Sequence, residues 1–315
     1  MAAILIVNFG GPRSLEEIEP FLKTLLTDPD VISTPFPTFL QNLFFRRVAK
    51  KRAPRIAHDY VQIGGKSPIY GDTEAVASEV QNLLKKEVFT FHRYLPATYQ
   101  KTLTQLETFR GEKIDVFPMF PQFSYSTTGS IAKFFKKHLT PSTERKLFWI
   151  KSYPKHPAFV ALFQEKIGLF LEEKKITHED LLLLFSAHGL PQLFVDRGDP
   201  YLEECRSSFK AIMQAFPKVK GVLCFQSKFG RGEWIKPYTQ EVCEAMEKWN
   251  EGRRHTLFVP LSFTSDHIET LFEVEKLYLP IIDSKGYKAY RLPAFNRCPR
   301  WIQVIITIIN SSFSR

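Results

Sequence analysis

Cysteine is scarce: only Cys205, Cys224, Cys243 and Cys298 occur in 315 residues, and no two stand in a C-x-x-C spacing. Neither a zinc knuckle nor a dithiol redox pair is written into such a chain, and a reducing, cytoplasmic compartment suits it. Long apolar runs are missing as well. The most hydrophobic tail segment, Trp301 to Ile309, is far shorter than the ~20 residues a spanning helix needs, so any membrane contact must be peripheral. The opening MAAILIVNFGGP has no cation before Arg13, which excludes a basic leader and leaves a first strand and turn. Acid is in deficit, with 33 Asp+Glu against 43 Lys+Arg and a net charge of +10. That balance suits nucleic acid, anionic lipid or a carboxylate-bearing small molecule, or simply a solvated surface, but no nucleic-acid motif accompanies it.

What the chain does hold is 44% apolar residues and 29 Phe, enough for two buried cores and compatible with a large flat ligand. Short apolar runs recur, each followed by an amphipathic stretch, the alternation expected of βα units on parallel sheets. The predicted strands are Ala3–Phe9, Val88–Tyr94, Ile114–Phe120, Leu147–Ser152, Leu181–Ala187, Val222–Gln226, Thr256–Ser262 and Ala289–Ala294. They divide four and four, with the break near Pro154–Pro157. A weak internal repeat agrees: ILIVNFGGP and VFPMFPQFSYSTTGSI in the first half answer LLLLFSAHGLP and LFVPLSFTSDHIETL in the second. The first half carries an insertion, expected near 28–70, where the run Phe39, Leu40, Leu43, Phe44, Phe45 precedes Arg46, Arg47, Lys50, Lys51, Arg52 and Arg55. This reads as an amphipathic helix over 38–52 with a basic end, placed as a lid over strand ends. Ser14…Glu17 and Asp266…Glu269 have capping-box spacing.

Phosphate loops fail on inspection. Gly64-Gly65-Lys66-Ser67 would need Gly at position 60, which is Tyr60, and Gly10-Gly11-Pro12-Arg13 does not fit G-x-G-x-x-G. His188, in LLLLFSAHGLP, stands where a buried strand gives way to a turn, at the edge that borders the ligand crevice of an open parallel sheet. A neutral imidazole there can take a proton or bind a divalent metal, or merely close the turn. Asp266, Glu269 and Glu273 fall at i, i+3 and i+7, so on an α-helix three carboxylates line one face, as a cation or proton path or as a cap with solvated companions. His267 beside them is read as their support. His58, His92, His138, His156, His178 and His255 have no such setting and are read as surface or core residues. His188 and Glu269, from two strands of one sheet, are expected to face one another, a nitrogen and a carboxylate suited to a first-row metal held transiently.

With these residues in view the sequence resembles the ferrochelatase family. The likeness runs nearly the whole length, through LIVNFGGP, YVQIGGKSPIY, FHRYLPAT, FPQFSYSTTGS, LFSAHGLP, CFQSKFGRGEWIKPYT, SFTSDHIETLFE and YRLPAFN. It implies an α/β fold of two similar Rossmann-like, chelatase-type halves, each a four-stranded parallel sheet flanked by helices, with a porphyrin between them. The halves would be 1–154, holding the lid insertion, and 155–297, with 298–315 a terminal helix packing back on the first half. Fe2+ would be inserted into protoporphyrin IX to give protohaem with release of two protons. Coproporphyrin III as substrate and a non-catalytic tetrapyrrole carrier are the alternatives.

By the same resemblance His188 and Glu269 are the iron-associated catalytic pair, and Asp266, His267 and Glu273 form an acidic proton or metal path. Phe9, Arg93, Tyr94, Ser124, Ser126, Thr127 and Trp234 bind porphyrin, and Arg46, Arg47, Lys50 and Lys51 meet propionates or anionic lipid. Iron is then substrate and no prosthetic group is expected. The chain ends soon after Cys298 without the cysteine-rich extension of cluster-bearing relatives, so no [2Fe–2S] cluster is expected either. His188, at a neutral pKa, is the expected proton acceptor, with Glu269 receiving iron or relaying the proton.

Overall fold

The computed structural model describes residues 2–32, 37–230 and 232–312. All eight apolar runs become strands: β1 Ala2–Asn8, β2 Val88–His92, β3 Lys113–Pro118, β4 Leu147–Trp149, β5 Leu181–His188, β6 Lys220–Gln226, β7 His255–Pro260 and β8 Lys288–Arg291. They form two four-stranded parallel sheets, ordered β2-β1-β3-β4 and β6-β5-β7-β8. Counted from its own first strand each sheet has the same order, so the internal repeat is a repeat of topology. β1 and β5 are central, and their unbroken apolar runs follow from burial on both faces by crossover helices. β4 and β8 are edges, shorter and more exposed, and their ends are where pattern reading overran. β8 stops at Arg291 because Pro293 has no N–H for a ladder, although Leu292 N–H still reaches the Phe258 carbonyl at 2.8 Å.

The chain divides into two compact units, Met1–Ser152 with Ile309–Arg315 and Tyr153–Ile308. In the first, Leu5, Val7, Phe91, Val116, Ile131 and Phe135 build one core cluster. In the second, Leu184, Val222, Phe258, Val274 and Ile282 build its counterpart. The terminal helix Pro299–Ser312 seats its fully buried Trp301 against Phe295 at 5.0 Å and near Tyr153 and Phe159 of the second unit, and its residues from Ile309 on are grouped with the first.

The inserted helix is longer than its pattern suggested. It runs from Thr38 to Val61, through Pro54, and residues 33–36 of the insertion lie outside the described residues. Gln41, Phe45, Ala49 and Tyr60 are its buried positions, while Phe39, Leu40, Leu43 and Phe44 are exposed for their first two turns. Arg46, Arg47, Lys50, Lys51 and Arg55 are exposed further along.

Both expected capping boxes are corrected. Ser14 makes no side-chain cap, and Glu17 instead accepts from the Arg13 backbone N–H at 2.8 Å and pairs with its guanidinium. Asp266 lies before its helix rather than capping it. The element after β7, Glu269–Tyr278, is a wide helix with i→i+5 bonding, and a shorter one, Tyr125–Gly129, occupies the equivalent place after β3, where the Gly129 N–H bonds the Ser124 carbonyl at 3.1 Å. Such turns accommodate an extra residue in a helix and gather at functional sites.

Candidate active site

The carboxyl ends of β5, β6 and β7 place three short segments side by side in the second unit. β5 delivers His188, in register with Gln226 of β6. Gly189 follows because the Gln226 carbonyl and the Trp234 ring leave no room: an added Cβ would stand 2.8 Å from the one and 3.0 Å from the other. Tyr201 donates its hydroxyl to the His188 carbonyl at 3.0 Å and meets Ser262 Oγ at 2.8 Å, tying the end of β5 to the turn after β7.

His188 and Glu269 do face one another, with Nε2 3.5 Å from Oε1. The Gly189 carbonyl can only accept, so Nδ1 carries a hydrogen toward it and Nε2 is the nitrogen whose proton comes and goes. On the other side of Glu269, His267 donates Nδ1–H to the Ser265 carbonyl at 3.1 Å and turns Nε2 to Oε2 at 3.5 Å. That Oε2 is buried and has no hydrogen-bond partner. The His188 side chain keeps 41% exposure and Glu269 22%, so the pair is open on one side.

The charges follow. Burial presses the His188 imidazole down, but the facing Glu269 carboxylate, the Gly189 carbonyl and Glu273 outweigh it and raise it to about 9. Burial likewise works against the Glu269 carboxylate, yet His188 and His267 hold it well below the usual range. Glu273 is pushed up to about 7 by burial and by Glu269, despite hydrogen bonds from Ser227 Oγ at 2.6 Å and Gln226 Nε2 at 3.1 Å. Two neighbouring carboxyls are thus driven apart in proton affinity, as in sites that move protons. The expectation of a neutral pKa for His188 is corrected: the facing carboxylate raises the imidazole, and the imidazole in turn lowers the carboxylate.

Asp266 does not join this row. Its Oδ1 accepts from Thr270 Oγ1 at 2.9 Å and Arg291 Nη1 at 2.6 Å, its Oδ2 from Asn296 Nδ2 at 2.8 Å; Asp266 is buried, and the Arg291 side chain is 8% exposed. With its oxygens occupied, it anchors the start of the wide helix to β8 and its following loop. Trp234 is also drawn inward, 9% exposed against Gly189.

In the first unit, Phe9 lies half-buried on Tyr94 at 4.5 Å between ring centroids. Tyr94 itself is fully buried, a support for Phe9 rather than an open face. Arg93 is spent internally: it donates to Asp28 Oδ2 at 2.7 Å and Ser130 Oγ at 2.9 Å, and Tyr94 and Ser130 donate to the same Asp28 oxygen. Ser124 accepts the Ser126 N–H at 3.1 Å, Ser126 donates to the Asp30 carbonyl at 2.7 Å, and Thr127 remains half-buried beside them. Among the described residues no group of three or more His, Cys, Asp or Glu is arranged to hold a metal. The thiols of Cys205 and Cys224 are buried and pushed up to about 12 by that burial. Gln226, Ser227 and Tyr201 were missed in the sequence. The signal for the first two was QS at the end of the strand next to that of His188.

The family model for Ferrochelatase matches residues 1–313. The chain belongs to the ferrochelatase family. It is 45% identical to the ferrochelatase of Chlamydia abortus over 99% of this chain and 96% of that one. It is 43% identical to that of Chlamydia trachomatis serovar A over the same shares, and 41% identical to that of Chlamydia pneumoniae over 98% and 93%. Among solved structures, CbiX, described as the terminal enzyme of siroheme biosynthesis in denitrifying bacteria, aligns with a TM-score of 0.55 at 13% identity over the whole of both chains. SirB from Bacillus subtilis with Fe3+ aligns with a TM-score of 0.52 at 14% identity, over 99% of this chain and 96% of that one. These two likenesses speak for the fold, and the expected pair of chelatase-type halves, each with its four-stranded parallel sheet, holds. Family membership makes the chain a metal chelatase, a lyase of porphyrin biosynthesis.

Proposed function

We propose that this chain inserts Fe2+ into protoporphyrin IX, with His188 taking protons from the pyrroles and Glu269 meeting the metal. The observation that carries the reading is the His188–Glu269 contact: Nε2 at 3.5 Å from Oε1, its tautomer set by the Gly189 carbonyl, with the carboxylate's other, buried oxygen facing His267 Nε2 at 3.5 Å. A nitrogen and a carboxylate are an incomplete ligand set, appropriate where a metal is passed on rather than kept. The raised proton affinity of His188 has a role here. Fe2+ arriving at Glu269 offsets the charge that holds the imidazole proton, the proton leaves by Glu273, whose affinity near 7 suits a relay, and Nε2 is freed as a base for the pyrrole N–H. His267 keeps Glu269 oriented. Phe9 supplies an aromatic face to the macrocycle, backed by Tyr94, while Ser126 and Thr127 line the neighbouring turn and Arg93, held by Asp28 and Ser130, braces it.

The exposed face of the Thr38–Val61 helix, apolar at Phe39, Leu40, Leu43 and Phe44 and then basic, fits an anionic lipid surface from which a poorly soluble porphyrin arrives. No helix among the described residues is long and apolar enough to cross a membrane. Such contact is peripheral, from the cytoplasmic side.

Anaerobic insertion assays with protoporphyrin IX and coproporphyrin III in parallel, on wild type and His188→Ala, test the reading. Expected are faster turnover with protoporphyrin and a loss of ~10²–10⁴-fold in the variant with porphyrin still bound. Preference for coproporphyrin overturns the substrate, and retained turnover in the variant overturns the base.

A further inference from the structure

The end of β6 supplies side chains that the reading above leaves without a part. Gln226 is 1% exposed and stands in register with His188. Its amide has a single sensible orientation: Ser186 Oγ donates to Oε1 at 2.7 Å, which turns Nε2 toward the Glu269 carbonyl at 2.7 Å and Glu273 Oε2 at 3.1 Å. Its own carbonyl accepts the Gly189 N–H at 2.7 Å. One residue therefore bonds the turn after His188, the first residue of the wide helix and the second carboxylate. An amide this deep costs free energy unless both its ends are satisfied, and here both are. Ser227 follows at φ 63°, a left-handed conformation unusual for a residue other than glycine, and its hydroxyl takes the same Glu273 oxygen.

We propose that Gln226 is a positioning residue for metal insertion: its side-chain amide clamps the Glu269–Tyr278 helix to the end of β5 and so sets where Glu269 and Glu273 stand relative to the His188 imidazole. The proposal rests on the reading of His188 and Glu269 as the reacting pair. Asp266 and Thr270 tie the start of this helix to β8 and its following loop, and the bond from Gln226 to the Glu269 carbonyl is its tie to the strands that carry His188. Hydrogen-bond partners one layer behind reactive groups commonly matter this much.

Two near-isosteric variants separate the clamp from bulk packing. Gln226→Met keeps the shape and removes both donors. Gln226→Glu keeps an oxygen for Ser186 but turns an acceptor toward a carbonyl and a carboxylate. Steady-state insertion kinetics, porphyrin binding by fluorescence quenching and thermal melts are measured together, with Ser186→Ala as a milder variant that frees the amide to rotate. Expected is a fall in kcat of about ten- to a hundredfold in both Gln226 variants and less in Ser186→Ala, at unchanged porphyrin affinity. Wild-type kcat in a folded Gln226→Met overturns the proposal. If that variant does not fold, Ser186→Ala decides, with wild-type kcat overturning the clamp and reduced kcat at unchanged affinity supporting it. His188→Ala in the same series keeps the two readings apart: its retention of turnover sinks the reacting pair, whatever Gln226 does.

Discussion

Nε2 of His188 sits 3.5 Å from Glu269 Oε1, and each group's charge is the main favourable influence on the other's. The imidazole is raised above its ordinary 6.5, so the pair's contribution to folding is fully present below 6.5 and is lost as pH rises through about 9. The carboxylate is lowered from 4.5, so the same contribution is present above 4.5 and is lost on further acidification. Glu269→Gln should therefore be less stable than wild type at pH 6, with urea melts converging by about pH 10. The His188 ring, followed by NMR, should titrate well below 9 in that variant. Unchanged titration would place the cause outside Glu269. Glu273 has the opposite sign, because a carboxyl raised to about 7 costs the native state stability as pH rises from 4.5 through 7. Glu273→Gln keeps an oxygen for Ser227 and Gln226, so it should gain on the order of 1 kcal/mol at pH 8, after allowance for residual solvent screening, and little at pH 4. Its turnover should fall.

At the scale of elements, the helix after β7 shows why spacing misled. Asp266, three residues before Glu269, reads equally well as a cap or as the first carboxylate of a path. What decided it was Arg291, 25 residues away in sequence, which with Asn296 occupies both its oxygens. Removing one partner of a buried pair typically costs ~3–5 kcal/mol, so Arg291→Leu should lower the melting temperature sharply. Asp266→Asn should lose stability while keeping turnover per folded molecule, whereas a proton-path residue would lose turnover and keep its melting temperature. The inserted helix has a similar lesson. Phe44 and Phe45 are adjacent and read together as part of one apolar stripe, but their exposures are 60% and 8%. Phe45→Ala should cost ~3–5 kcal/mol in chemical denaturation. Phe44→Ser should change stability by less than ~0.5 kcal/mol yet weaken binding to lipid vesicles.

For the whole molecule, the +10 charge predicts binding to anionic but not neutral vesicles, falling as salt rises because exposed cations are screened over ~8 Å at physiological ionic strength. Binding indifferent to salt would assign the contact to the apolar turns alone. The sequence by itself determined the two-unit architecture, since runs such as LLLLFSAH are buried on both faces only as central parallel strands, and eight of them divide into two matching sheets. It also determined the meeting of His188 and Glu269, because central and neighbouring strands of one parallel sheet end on the same side. Tertiary structure alone decided that Asp266 is bonded to Arg291 and Asn296, that Tyr94 and Trp234 lie buried, that Gln226 bonds the Glu269 carbonyl and Glu273, and that the carboxylate facing His188 raises its proton affinity. Each of these depends on partners distant in the chain and on local burial, and neither periodicity nor spacing encodes which side chain will arrive to satisfy a buried polar group.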